Sequence, residues 1–284
     1  MTQQKTLDPT ILAQWIGKQE TLRDTIRVDP ANLMEMTLDR PARLATGDAL
    51  PPLWHWLYFL QSARLSELGR DGHPALGGFL PPVALPRRMW AGGRFGFNAA
   101  LRIGNEAQKT STIKDVALKQ GRSGTLCFVT VRHEISNDAG LTLWEEHDIV
   151  YREDPKPDAA QPDAKTLEGE WGFSETHCMR EVALFRYSAL TFNGHRIHYD
   201  RDYARNVEGH EGLVVHGPLV ATLLADFALR NSADLPLKVF EFRASKPLYD
   251  NGPFTLHGRA DGGEQTLAVT DPAGLIAMQA RAHF

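Results

Sequence analysis

The sequence predicts an α+β fold in two copies of one unit, each copy a long buried helix wrapped by an antiparallel sheet. Two almost wholly apolar segments, each opened by proline at Pro52 and Pro218, stand in corresponding places in the two halves. After each comes a set of strand-like segments separated by turn residues, as antiparallel sheets require. Between the halves, residues 154–165 combine proline, alanine and charge in the manner of an extended linker. The expected organisation is therefore 1–153, a linker at 154–165, and 166–284.

In the first half, Asp8-Pro9 and Asp29-Pro30 each pair a helix cap with a first-turn proline, and residues 20–28 between those helices suit a strand. Residues 53–60, LWHWLYFL, are too densely apolar for a surface helix and read as the first buried helix. Residues 65–93 are rich in glycine and proline but also in aromatics and arginine, which marks a functional loop rather than a disordered one. Strands follow at 94–103, 109–119, 125–135 and 141–151, and in the second half at 238–247, 253–260, 265–270 and 275–284.

Composition excludes several classes of partner. A net charge of −4 and a pI near 6.3 give no global attraction to nucleic acid or to an anionic membrane. No apolar run approaches the length of a membrane span, and two cysteines far apart, Cys127 and Cys178, fit neither a metal motif nor a disulfide framework. A cytoplasmic protein is expected, without nucleic acid or membrane partners.

Residues 185–230 carry the chemistry. Phe185 to Phe192 alternates like a strand, Asn193-Gly194 breaks it, and His195, His198, Tyr199 and Asp200 crowd the turn that follows. Gly217 suits an N-cap and Pro218 the first helical position; Leu219, Val220, Leu223, Leu224 and Phe227 then repeat at helical spacing. The amino end of that helix offers free backbone N–H groups beside the histidine turn, a donor array for a developing oxyanion. Taken singly, His198 suits a histidine that merely pins a loop, and His216 either a turn-holding or a site residue. A metal site at His195, His198 and Asp200 lacks a recognisable third spacing, so no metal is expected; Tyr199 and Asp200 read as loop-ordering groups.

The block LTFNGHRIHYDRDYA resembles the hydratase motif of the MaoC-like double hot-dog superfamily of hydratases and dehydratases. In that motif an aspartate precedes a histidine by five positions; here the matching residues are Asn193 and His198, with Gly194 and Ala204 at the expected small positions. With asparagine for aspartate, the block is similar to type 2 hydroxyacyl-thioester dehydratases and to mesaconyl-C4-CoA and itaconyl-CoA hydratases. The Gly77 to Pro82 segment and the Pro86 to Gly93 segment resemble the hydratases more specifically. The resemblance implies a double hot-dog fold and a hydro-lyase acting on an enoyl-CoA, with coenzyme A as part of the substrate and no separate cofactor. It implies that the first half is the non-catalytic copy, whose aromatics Trp54, Trp56, Tyr58 and Phe59, otherwise plain core, line an acyl tunnel. His198 is then the acid–base group, Asn193 the water-orienting amide and Gly217 the oxyanion donor. His216, Arg87, Arg88, Trp90, Arg94 and Arg243 are expected to bind substrate, the arginines through a second acyl carboxylate or coenzyme A phosphates. A fatty-acid 3-hydroxyacyl-thioester dehydratase and a non-catalytic acyl-CoA-binding hot-dog protein are the rival readings, and a homo-oligomer is a further possibility the sequence leaves open.

Overall fold

A computed structural model describes residues 6–76, 78–121, 124–153 and 165–284. Ten strands form one antiparallel sheet: β1 (Gln19–Thr25), β2 (Arg87–Phe97), β3 (Glu106–Gly121), β4 (Gly124–Asn137), β5 (Gly140–Arg152), β6 (Phe173–His177), β7 (Val239–Ala244), β8 (Phe254–Asp261), β9 (Glu264–Thr270) and β10 (Ile276–His283). Their order is β1-β3-β4-β5-β2-β7-β10-β9-β8-β6. Read outward from the middle, β2-β5-β4-β3-β1 on one side repeats as β7-β10-β9-β8-β6 on the other. The central pair β2 and β7 is itself antiparallel, so the two half-sheets are related by an approximate two-fold axis through their seam. Nine of the ten strands expected from the sequence are present, the exception being 185–192; β6 is an addition, and the linker, apart from Lys165, lies outside the described residues.

The helices are α1 (Pro9–Ala13), α2 (Val28–Thr37), α3 (Glu181–Leu190), α4 (Arg201–Asn206) and α5 (Gly217–Arg230). Leu219, Val220, Leu223, Leu224 and Phe227 of α5 are buried against β7 to β10, as the helical spacing required. Among the described residues only the second half has such a helix. The long helix expected at 53–60 is a single 3-10 turn, Trp54–Leu57, because the backbone leaves the right-handed region on both sides, at Leu53 (φ 69°) and Phe59 (φ 53°). Tertiary hydrogen bonds hold that break: Tyr58 Oη donates to the Arg27 carbonyl at 2.5 Å, and Phe59 N–H to Asp24 Oδ2 at 2.9 Å.

Polar side chains occupy the space under the turn. Glu145 Oε2 lies 2.9 Å from Trp56 Nε1, 3.1 Å from His55 Nε2 and 3.0 Å from His147 Nε2. Burial would push this carboxyl up, but His147 and His55 hold it well below the usual range, so the core keeps an anion. A second apolar cluster, with Leu12, Trp15, Ile113, Val129 and Tyr151, closes the region near α1.

Two further expectations are corrected. Residues 185–192 are helical, not extended: Leu184, Tyr187 and Ser188 are buried at helical spacing while Phe185 points outward, and α3 packs on α2. The segment 87–93, expected as loop, is the first half of β2, where its glycines allow close packing. Among the described residues no helix is long and apolar enough to cross a membrane, and both cysteines are free.

The seam depends on those glycines. A Cβ at Gly92 would stand 2.6 Å from the Phe242 carbonyl oxygen of β7, a backbone atom that cannot swing aside. Gly92→Ala is expected to cost about 1–3 kcal/mol, the usual range for overpacking. Its denaturant midpoint, compared with that of Ala99→Gly at an exposed site, checks this; an unchanged midpoint would show that the seam yields.

Candidate active site

The site forms where α3 gives way to α4 and the chain climbs back to α5. Short-range bonds shape the turn. Asn193 Oδ1 accepts the His195 N–H at 3.0 Å, and Tyr199 Oη donates to the Gly194 carbonyl at 3.0 Å. Asp200 caps α4 by accepting the Tyr203 N–H at 3.0 Å and also receives the Arg196 guanidinium, so both it and Tyr199 order the loop as expected. Farther on, Asp250 binds Arg201 and accepts the Leu213 N–H at 2.9 Å, fixing the approach to α5.

His198 lies at the centre, 7% exposed, in the 3-10 turn Arg196–His198. Its Nδ1 is 2.7 Å from the Val214 carbonyl oxygen. A carbonyl only accepts, so Nδ1 carries the proton and Nε2 carries the lone pair of the neutral ring. Burial lowers the His198 pKa to about 3; the Val214 carbonyl opposes that shift, and neighbouring histidines add to it. The ring therefore stays neutral at ordinary pH, poised as a base.

Against it stacks His216, with ring centroids 3.6 Å apart and planes 17° apart. His216 is fully buried; its Nε2 pairs with Ser188 Oγ at 2.8 Å, and burial holds its pKa well below the ordinary histidine value. His216, rather than Gly217, is the N-cap of α5, with Gly217 and Pro218 at the first two helical positions and no side chain capping the end. The Gly217 amide therefore has no intrahelical partner. A Cβ placed on Gly217 would meet nothing within 4 Å, so packing does not demand glycine there, and the residue is half-buried.

The loop before β2 brings an unforeseen second group to this turn. Asp71 Oδ2 is 3.1 Å from His73 Nδ1, the His73 and His195 rings lie 4.2 Å apart, and His195 stands edge-on to His198 at 5.4 Å. The loops interlock through backbone: Arg196 N–H donates to the Asp71 carbonyl at 2.9 Å, and a Cβ on Gly72 would collide with the Gly194 carbonyl. No local motif joins 71–73 to 195, so sequence spacing could not reveal the pairing; the aspartate two residues before a histidine in a glycine-rich loop was the only signal. One donor atom from each of Asp71, His73 and His195 falls within 4.8 Å of the others, as in the group His133, Glu145 and His147, and either set has the donors for a divalent cation.

The arginines separate clearly. Arg87 donates to Glu208 Oε2 at 2.6 Å, and Arg94 forks onto Glu146 and Asp148 on β5, which commits both to structural ion pairs. Arg243 is exposed on β7. Trp90 packs on His147 at 4.1 Å within the polar pocket of the first half, away from His198. Arg88 alone of the β2 arginines lies close to the histidine turn: burial lowers the pKa of His73 and His195, and the Arg88 charge adds to it. Among the described residues no carboxylate pairs with it. A cavity lined by Pro52, His55, Phe97, Leu229 and Leu237 opens at the carboxyl end of α5, which presents carbonyls and so does not suit an oxyanion.

A single long helix whose uncapped amino end meets a buried histidine pair, in a sheet built of two like halves, defines a double hot-dog protein with a thioester-type site. Solved structures share the fold. A MaoC-like dehydratase from Phytophthora capsici superposes with a TM-score of 0.70 at 11% identity, covering 98% of this chain and 99% of that one. A Mycobacterium tuberculosis protein described as having a double hotdog fold gives 0.58 at 13% identity over 94% of this chain and 96% of its own. Residues 53–250 match the profile of the family described as hydroxyacyl-thioester dehydratase type 2, and the chain belongs to that family. It is also 46% identical over 267 residues to a mesaconyl-C(4)-CoA hydratase of Chloroflexus aurantiacus, covering 94% of this chain and 95% of that relative.

The histidine cluster sets the acid limit of the fold. His198 and His195 are both lowered to about 3 by burial first, and His73 and His216 are lowered for the same leading reason. Unfolded, each binds a proton at about 6.5, so their contribution to stability is complete above that pH and is lost as pH falls from there toward about 3. Urea midpoints are expected to drop steadily between about pH 6.5 and pH 4; a flat midpoint over that window would contradict neutral buried histidines.

Proposed function

We propose that this protein is a hydro-lyase that adds water across the double bond of an enoyl-CoA thioester, its acyl group a short dicarboxylic one of the mesaconyl-C4 type. One observation carries the chemistry: a neutral His198 with its Nε2 lone pair free stands beside a helix amide that has no intrahelical partner. In this reading the Gly217 N–H and the positive end of α5 hold the thioester oxygen as negative charge develops there. His198 Nε2 takes a proton from water as the oxygen bonds the β-carbon, then returns that proton to the α-carbon when the enolate collapses. The imidazole can take and give a proton within one cycle, and because burial disfavours its cationic form, the return of that proton to the α-carbon is favoured.

Arg88 supplies the acyl preference. It is half-buried at the site and has no carboxylate partner among the described residues, so a carboxylate on the acyl group would satisfy it. Similarity to the Chloroflexus hydratase supports the same choice. The half 166–284 then provides acid–base chemistry and the half 1–153 shapes the acyl pocket. Arg243, exposed at the seam, is left for coenzyme A phosphates. We place the enzyme in the cytoplasm, in keeping with its unpaired cysteines.

Loss of conjugated-thioester absorbance with mesaconyl-C4-CoA, and with crotonyl-CoA for comparison, tests the reading. His198→Ala is expected to keep its fold and lose about 10²–10⁴-fold in kcat, the usual yield of general acid–base catalysis. Near wild-type turnover by that variant would refute its role, and a wild-type protein that binds these thioesters without converting them would make this a binding protein. Arg88→Met is expected to lose at least about tenfold more kcat/KM on mesaconyl-C4-CoA than on crotonyl-CoA, since a charged hydrogen bond is worth about 1.5–3 kcal/mol. Equal losses on both would remove Arg88 from acyl recognition.

A further inference from the structure

Hydration needs the attacking water held by more than its base, and Asn193 can orient it only through its NH2, without sharing its proton as a carboxylate would. Its side-chain oxygen is spent on the His195 N–H, and an amide has no basic lone pair to share a proton. Two rings pack on His198 and a third lies beyond one of them. His216 is fully buried and tied to Ser188, whereas His195 stands edge-on to His198 and remains partly open. His73 lies behind His195, and Asp71 behind His73.

We propose that His195 is the second group on the nucleophilic water, and that Asp71 and His73, from the other half of the chain, position it. The orientation follows from donors and acceptors. Asp71 only accepts, so His73 Nδ1 carries the proton and its Nε2 is left with a lone pair. The His73 ring packs against His195, centroids 4.2 Å apart, and holds that ring by contact, and one nitrogen of the neutral His195 ring is an acceptor for the water. Water between the two rings is then held by both hydrogens: one goes to His198 Nε2 as its oxygen bonds the β-carbon, and the other stays on the new hydroxyl, bonded to His195. The π electrons of the double bond pass to the thioester enolate, and the proton on His198 completes the α-carbon, so H and OH are added with nothing oxidised or reduced. Both rings must be neutral acceptors for this, as their depressed pKa values allow. The inference rests on the hydro-lyase reading and adds the group that stands in for the missing carboxylate.

Steady-state hydration of mesaconyl-C4-CoA by His195→Ala, His195→Gln, Asp71→Asn and the double variant Asp71→Asn/His195→Ala tests it, with thermal melts as the folding control. His195→Ala is expected to lower kcat about 10²-fold with KM within about threefold, the scale of one positioned proton-handling group. His195→Gln, whose carbonyl oxygen can accept the same hydrogen bond, is expected to recover most of that loss. Asp71→Asn is expected to lower kcat about tenfold in the wild-type background and to have no further effect once His195 is alanine, because it acts through that ring. Unchanged kcat in His195→Ala, a loss residing in KM, no recovery by glutamine, or an Asp71→Asn effect equal in both backgrounds would each overturn the proposal while leaving hydration intact. So would a stoichiometric divalent metal in the purified protein whose chelation abolishes activity, since the three residues would then be its ligands. No turnover by wild type on any enoyl-CoA would instead overturn the hydro-lyase reading and this inference with it.

Discussion

The backbone pairing of Gly92 to Gly96 on β2 with Val239 to Arg243 on β7 is the constraint on which the molecule rests. It joins two half-sheets into one and lays Phe95 between Phe240 and Phe242, aromatic contacts each worth about 0.5–1.5 kcal/mol beyond their buried area. It also decides where the chain before β2 goes. With β2 fixed at the centre, its preceding loop must cross to the second half, where Asp71 and His73 meet His195 and Arg88 lies close to the same turn.

Electrostatically the two halves solve opposite problems. Around His198 the structure gathers neutral imidazoles whose protonation burial opposes, beside helix amides that have no intrahelical partner. Under the Trp54–Leu57 turn it keeps a permanent anion, Glu145, and surrounds it with donors. The first arrangement waits for a charge, while the second is already satisfied.

Much of this could be read from residues alone. Strand spacing gave nine strands, the proline-headed apolar run gave α5, and the turn after Asn193-Gly194 gave the histidines that the structure brings together. Failures came where tertiary bonds outweigh local preference. Residues 53–60 are apolar enough for a helix, but Asp24, Arg27 and Glu145 draw their polar atoms into bonds that a helix could not reach. Residues 185–192 alternate like a strand, yet Leu184, Tyr187 and Ser188 turn a helical face to the core. Arginines close in sequence were taken as one group; the structure pairs Arg87 with Glu208 after α4 and Arg94 with acids on β5, and leaves Arg88 without a carboxylate among the described residues. Asp71 and His73 were illegible because their meaning lies more than a hundred residues away.

The two-fold arrangement within one chain has a consequence of its own. Two identical subunits placed about such an axis must accept every substitution twice, so a residue that helps one site also burdens its mirror image. Here the corresponding positions belong to different codons. One copy has a long central helix whose amino end meets the histidine turn, while the other has a single 3-10 turn in its place and sends the Asp71–His73 loop across to His195. What symmetry would have spent on two equal centres is concentrated in one, assembled from unlike parts.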